Sequence, residues 1–513
     1  MRNATQRAAD QRLVWETLTD YERLRERVCR MRRSLRLVVA CCVLPGCASL
    51  DPYAHAPVTQ TLQREDALGK CARRFQATDQ LIDAIGTRDA QELRVPGFPH
   101  LRVDRVLASL APTAAGDAQQ ALAWREALAA LDDAARRFEL GNAGVDGALA
   151  DALTKCREQL APADRHDLPM LIDAARVPDD YSNSMRALGL YPLTRHVFAA
   201  GIRSWQRDTL ADFAAHAVTD PVAHRRLRYI PAESPDVVPM LKEFAAPGLP
   251  LMSPSELAYL ILRHAPRFEI ETASDDDRPG AVAWQSDQTG HLQIGISREQ
   301  PVLYVRSSHA QLDGHWLLQL IYTIWLPARP ALGAYDVLAG RLDGVVWRVT
   351  LAENGSPLIY DTIHPCGCYH LFIPTDRVRA RPQPETIEEG LFIPQALRSP
   401  APHQRVVLKL AAATHYLQRV GIESARRDDG VVLALRDEHK LRALSLPGGG
   451  TRSAFMPDGL VAGSERLERF YFWPMGIRSA GQMRQWGRQA TAFVGRRHFD
   501  DPALLDRYFE RLP

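Results

Sequence analysis

The residues best suited to chemistry in this chain occupy seven consecutive positions, His364-Pro365-Cys366-Gly367-Cys368-Tyr369-His370. Imidazole and thiolate are common protein ligands for zinc and copper, and His364, Cys366, Cys368 and His370 stand at alternate positions. In a regular strand all four would point to one face, with successive members about 6.8 Å apart. That spacing cannot close four bonds of ~2.0–2.3 Å around one ion. A tetrahedral site therefore requires Pro365 and Gly367, both turn-forming residue types, to bend the chain. The alternative is two ligands from this segment and others from His309, His315 or His415. The expectation is a His/Cys transition-metal site with zinc as the cofactor, and with Asp361 holding an imidazole from behind.

Two other chemistries fit the same residues. Cys366 and Cys368, one residue apart, can close a small, strained and reducible disulfide. Alternatively, one thiol can act as a nucleophile beside a histidine base that Asp361 orients. No Cys-x-x-Cys in a βαβ context accompanies the pair, and the chain has no H-E-x-x-H motif. A structural disulfide or tight turn is the competing explanation. It would leave the protein a non-catalytic envelope module that binds protein or glycan partners.

The elements that must position these residues are β-strands. Asn354-Gly355, between Val345–Leu351 and Leu358–Ile363, is the strongest short-range hairpin signal in the chain, and it delivers the backbone into His364. Further strands are expected at 281–285, 291–296, 302–307, 406–411 and 431–435. Trp316–Leu326 is apolar on both faces and reads as a central strand. His309 and His315 flank a turn at Asp313-Gly314. Ser253-Pro254-Ser255-Glu256 spells a capping box with proline at the first helical position. Asp275-Asp276-Asp277 reads as a solvated turn without the ligand spacing of an EF-hand. Gly448-Gly449-Gly450 reads as a turn lacking Walker spacing, and 479–493 and 501–512 as closing amphipathic helices.

The first half of the chain is different. From Leu62 to about Gln206 apolar residues recur at steps of three and four, as in Leu68, Cys71, Phe75, Thr78, Ile82 and Ile85. Trp124, Leu128, Leu131, Ala135 and Phe138 repeat the pattern, as do Leu149, Leu153, Cys156 and Leu160, with Gly141-Asn142 as a helix stop between. These faces imply a helical bundle. Cys71 and Cys156 both fall on apolar seams, which predicts that they pair as a disulfide. Residues 176–250 read as a connector with short helices.

The fold class is thus α+β, an amino-terminal helical bundle followed by an antiparallel sheet domain with flanking helices. The predicted units are 1–46, a leader; 47–235, the helical domain and connector; and 236–513, the domain carrying the His/Cys cluster. The 513 residues are 46% hydrophobic and 24% charged, with a formal net charge of +2. Near-neutrality with arginines dispersed among acids excludes a nucleic-acid-binding surface.

Within the leader, the basic run Met31-Arg32-Arg33-Ser34-Leu35-Arg36 precedes an apolar stretch from Leu37 to Leu44 that is too short to span a bilayer. Leu44-Pro45-Gly46-Cys47 then resembles the lipobox of bacterial lipoproteins, with Pro45 departing from the small residue usual there. The resemblance covers Met31 to Cys47. It implies cleavage before Cys47, acylation of that residue, and, with Ala48 following, an outer-membrane anchor facing the periplasm. Residues 1–30 read as an over-extended start ahead of Met31.

Overall fold

The computed structural model describes residues 51–512, apart from 146, 234–245, 247, 251 and 426–428. The leader and Cys47 lie outside the described residues. Within them, no helix is long and apolar enough to cross a membrane.

The strands, in chain order, are β1 (Leu93–Val95), β2 (Phe98–Val103), β3 (Arg226–Pro231), β4 (Arg267–Glu271), β5 (Ala281–Ser286), β6 (Leu292–Ser297), β7 (Val302–Leu312) and β8 (His315–Arg329). They continue with β9 (Gly340–Leu351), β10 (Pro357–Ile363), β11 (Leu371–Pro374), β12 (Val378–Ala380), β13 (Gln404–Leu410), β14 (Leu417–Ser424), β15 (Val431–Asp437), β16 (Leu444–Ser445), β17 (Thr451–Arg452) and β18 (Phe509–Arg511). Ten of them form one sheet in the order β11-β10-β9-β8-β7-β15-β3-β4-β13-β14. The protein is α+β, and its sheet is mixed rather than antiparallel. Strand β15 runs parallel to both β3 and β7, and β4 runs parallel to β13. Alternation and turn signals report local hairpins, whereas these parallel pairs join segments far apart in sequence.

Strand β8 is central, flanked by β7 and β9, as its two apolar faces require. The Asn354-Gly355 turn forms as expected, with the Asn354 carboxamide oxygen accepting from the Ser356 amide at 3.1 Å. Its strands β9 and β10 stack Trp347 on Tyr360 with ring centroids 5.2 Å apart. One face of the sheet buries Phe268, Leu320, Tyr322, Trp347 and Leu408 against Leu257, Leu260 and Ile261 of the Pro254–His264 helix. That helix carries the Ser253/Glu256 capping box.

Helices Ala67–Ile85, Ala118–Asn142 and Gly147–His166 share a core of Phe75, Ile82, Leu140, Leu153 and Leu160. Cys71 and Cys156 face each other there as a disulfide, with Cα atoms 5.2 Å apart. This region is not purely helical. The β1–β2 hairpin packs against the Ala118–Asn142 helix, and it inserts Arg102, fully buried, between Asp132 and Glu139. A buried arginine in a short strand breaks every hydrophobic period, which is why the hairpin left no signal.

Three other expectations fail. The connector holds a long helix, Tyr191–Val218, whose weak amphipathicity hides it. Residues 479–493 form no helix, and 501–512 hold only the short helix Leu504–Tyr508 and a strand, Phe509–Arg511. Asp275–Asp277 is a 3-10 helix whose Asp277 is fully buried.

Candidate functional site

The turn at 364–370 does bend, but not around an ion. The Gly367 amide donates to the His364 carbonyl at 2.8 Å and the His364 amide to the Cys368 carbonyl at 3.0 Å. Gly367 has φ +93°, and a Cβ there would lie 2.5 Å from the Ala490 carbonyl oxygen, so the turn needs glycine. The tight turn sends the four side chains to three different places. Cys366 and Cys368 are free thiols, both buried, and they border a space of about 20 Å³ lined by Ile477, Ala480 and Phe493. His370 Nε2 meets Asp361 at 2.9 Å, and Arg348 Nε donates to the same carboxylate at 2.8 Å. Burial holds the His370 imidazole down to about 4. His364 alone faces a cavity.

The zinc reading is therefore overturned: among the described residues no group of three or more His, Cys, Asp or Glu side chains could hold a metal ion. His309 lies within β7 opposite Leu318. His315, at the exposed start of β8, pairs with Glu353 at 3.0 Å. Neither comes to His364. His415 does, but it is joined to His364 through a carboxylate rather than across a vacant centre. Asp361 does hold an imidazole, as expected, but that of a histidine locked in the core.

What the fold gathers instead is a chain of alternating acid and imidazole. Asp277 Oδ1 lies 3.2 Å from His415 Nε2, and His415 Nδ1 lies 2.9 Å from Asp343 Oδ2. Asp343 Oδ1 lies 3.0 Å from His364 Nδ1 and 3.4 Å from an Arg466 guanidinium nitrogen. Asp277, Asp343 and His415 are each 0% exposed, so these interactions act without solvent screening. Burial alone would lower the His415 imidazole, but carboxylates on both ring nitrogens raise it above the ordinary value. With a carboxylate at each nitrogen, both are donors and His415 is the imidazolium.

Burial likewise works to raise Asp343, and the His364 imidazole and the Arg466 guanidinium outweigh it, holding the carboxyl well below its usual range. Asp277 is brought down to about 2 against its burial, by His415 and by backbone amides. Two carboxylates are thus matched by His415 and Arg466, which leaves His364 neutral. Its own imidazole is lowered by burial despite Asp343. With Nδ1–H donating to Asp343, Nε2 carries the lone pair, and it has no hydrogen-bond partner among the described residues.

His364 belongs to the lining of a cavity of about 280 Å³. One wall is Tyr369 and Tyr416, with ring centroids 5.0 and 5.9 Å from the His364 ring. Arg329 donates to the Tyr416 hydroxyl at 3.2 Å, and burial raises that phenol above its ordinary value, so it stays protonated. The opposite wall is the Tyr191–Val218 helix, contributing Trp205, Asp208, Thr209 and Asp212. Backbone strain concentrates here. Leu342 (φ +59°), Tyr369 (φ +63°) and His415 (φ +54°) adopt the left-handed region, at a cost of order 1–3 kcal/mol each.

Tyr369 and Asp277 stood in segments singled out for other reasons, while Asp343 and Tyr416 had no motif to announce them. The helix wall had one: Trp205, Asp208, Thr209 and Asp212 fall at i, i+3, i+4 and i+7, a single helical face. Compared with known proteins, the chain matches no family model, no curated protein and no solved structure, so what it does has to be read from this site.

Proposed function

We propose that the cavity is an acid–base active site in which His364 is the general base. The observation that carries this reading is the Asp277–His415–Asp343–His364 chain, which ends on an unpartnered imidazole nitrogen at the edge of a cavity. A histidine whose Nδ1 proton is held by a buried carboxylate keeps its tautomer and orientation fixed. The proton taken by Nε2 from water or a ligand hydroxyl leaves an imidazolium facing Asp343, which offsets the new charge. Tyr416, protonated and backed by Arg329, is placed to donate to an oxygen on which negative charge develops. Cys366 and Cys368, enclosed away from this cavity, take no part in the step. The reaction class is hydrolysis or another proton-transfer-dependent conversion of a small molecule.

The test has two readouts. Diethyl pyrocarbonate with peptide mapping should acylate His364 at Nε2 while sparing His415, whose two ring nitrogens both meet carboxylates, and His370, whose Nε2 is held by Asp361 away from the cavity. Chromogenic acyl, glycosyl and phosphoryl esters should reveal a turnover that His364→Gln lowers by roughly 10²–10⁴-fold. Turnover unchanged in that variant, or no labelling of His364 in the native protein, would end the proposal.

The lipobox-like segment before Cys47 supports placing this site in the cell envelope, tethered by lipid to the outer membrane and open to the periplasm. Cys47→Ser is expected to move the protein from the membrane fraction to the soluble fraction. Membrane retention of that variant, together with an intact mass lacking acyl chains in the wild type, would refute the anchor.

A further inference from the structure

The geometry points to a small organic cation, an ammonium-bearing molecule, as the ligand of this cavity. This rests on reading the cavity as the site, and it names the chemistry of what enters. Three aromatic side chains border the space. Trp205 and Tyr369 have ring centroids 5.5 Å apart and Tyr369 and Tyr416 4.7 Å apart, with interplanar angles of 47° and 65°. Rings at these separations and angles pack inclined against one another rather than in a stack, and aromatic faces attract cations through their quadrupoles.

The charges of the lining agree. Asp208 and Asp212 sit one turn apart on the Tyr191–Val218 helix, and no lysine or arginine lines the cavity. Asp208 is exposed and has no ion-pair partner among the described residues, while Asp212 meets only His216, at 3.3 Å. Asp277 and Asp343, deeper in, are already neutralised by His415 and Arg466. Among the lining side chains the uncompensated charge is therefore negative, with the Arg329 guanidinium outside the lining, 4.9 Å from the Tyr416 ring centroid. The carboxylates do not stand alone as evidence: His364, 4% exposed, adds an unpartnered ring nitrogen to the same lining. That nitrogen is a hydrogen-bond acceptor, which suits an ammonium N–H or a hydroxyl on the cation and not an anion.

A cavity of about 280 Å³ limits the ligand to a small molecule or the end group of a larger one. A ligand whose cationic head rests against Trp205 and Tyr369, with Asp208 and Asp212 outside it, would present its neighbouring polar atoms to His364 and Tyr416. Cation recognition and proton transfer would then use neighbouring walls of one pocket.

The test compares three probes of nearly equal shape by isothermal titration calorimetry on the wild-type protein. They are choline, its uncharged carbon isostere neohexyl alcohol, and the anion tert-butylacetate. Choline is expected to bind at least about tenfold more tightly than neohexyl alcohol, with no measurable binding of the anion. Asp208→Asn combined with Asp212→Asn should remove most of that preference; Asp208 is exposed, so the change does not disturb the core. Equal affinity for the neutral isostere, tighter binding of the anion, or no choline binding at all would each overturn the inference. Any of these found together with a His364-dependent turnover would leave the acid–base reading intact and remove only the cation.

Discussion

Replacing Asp343 with alanine is expected to destabilise the protein by about 3–5 kcal/mol, the range for leaving a buried ion network without its central partner. Asp343 is fully buried and touches His364, His415 and Arg466. Its removal takes away the carboxylate that Arg466 faces and leaves the His415 imidazolium with Asp277 alone, in a space that water does not reach. Asp343→Asn keeps the volume and one acceptor oxygen, so its loss should be smaller. Urea unfolding followed by tryptophan fluorescence measures both. A loss below about 1 kcal/mol for the alanine variant would mean that these charges are solvated, as exposed pairs are, and the electrostatic account of the site would fall with it.

The second large effect is acid lability between about pH 6.5 and pH 4. Burial pushes the imidazoles of His264, His309 and His370 down to about 4. In that window the unfolded chain takes up protons that the folded protein refuses. Stability is therefore complete above the unfolded value and declines as pH falls toward the folded one. For His370, 5% exposed, the interval corresponds to about 3 kcal/mol, and the other two histidines add to it. His415 does not offset the loss. Its folded value is raised, so its contribution is already complete below the unfolded value and is lost only as pH rises through the folded one. The depressed carboxyl of Asp277 gives way only at lower pH, as it falls toward about 2. Urea midpoints at a series of pH values would trace the decline, and His370→Asn should make it shallower. A stability that stays flat from neutrality to about pH 4.5 would contradict neutral burial of these histidines.

Much of the strand content was legible because its signals are local. Asn354-Gly355 specifies a turn through its own backbone preferences, and Trp316–Leu326, rich in branched and aromatic residues on both faces, suits the interior of a sheet. Ser253 to Glu256 caps a helix by bonds within four residues. The seam positions of Cys71 and Cys156 were local too, each read from the period of its own helix. Where such signals are absent the reading failed. The Tyr191–Val218 helix carries its polar residues on the cavity face, so its stripe does not resemble a core stripe. Residues 479–493 build turns whose partners are distant: the Val461 amide donates to Met483 and the Arg484 amide to Pro365.

The site divides in the same way. The sequence by itself determined that His364, Cys366, Cys368 and His370 follow a hairpin, with Pro365 and Gly367 of turn-forming types among them. Only the tertiary structure decided which of them faces a cavity. It turned both thiols and His370 into the core and brought Asp277, from a run of three acids that reads as a solvated turn, to His415. It also set Asp343 between two histidines 21 and 72 residues away in sequence. The reason is physical. A metal site is implied by ligand types alone, whereas the environment that makes one imidazole a base and another an inert imidazolium depends on which carboxylates lie within about 3 Å and on how far water is excluded.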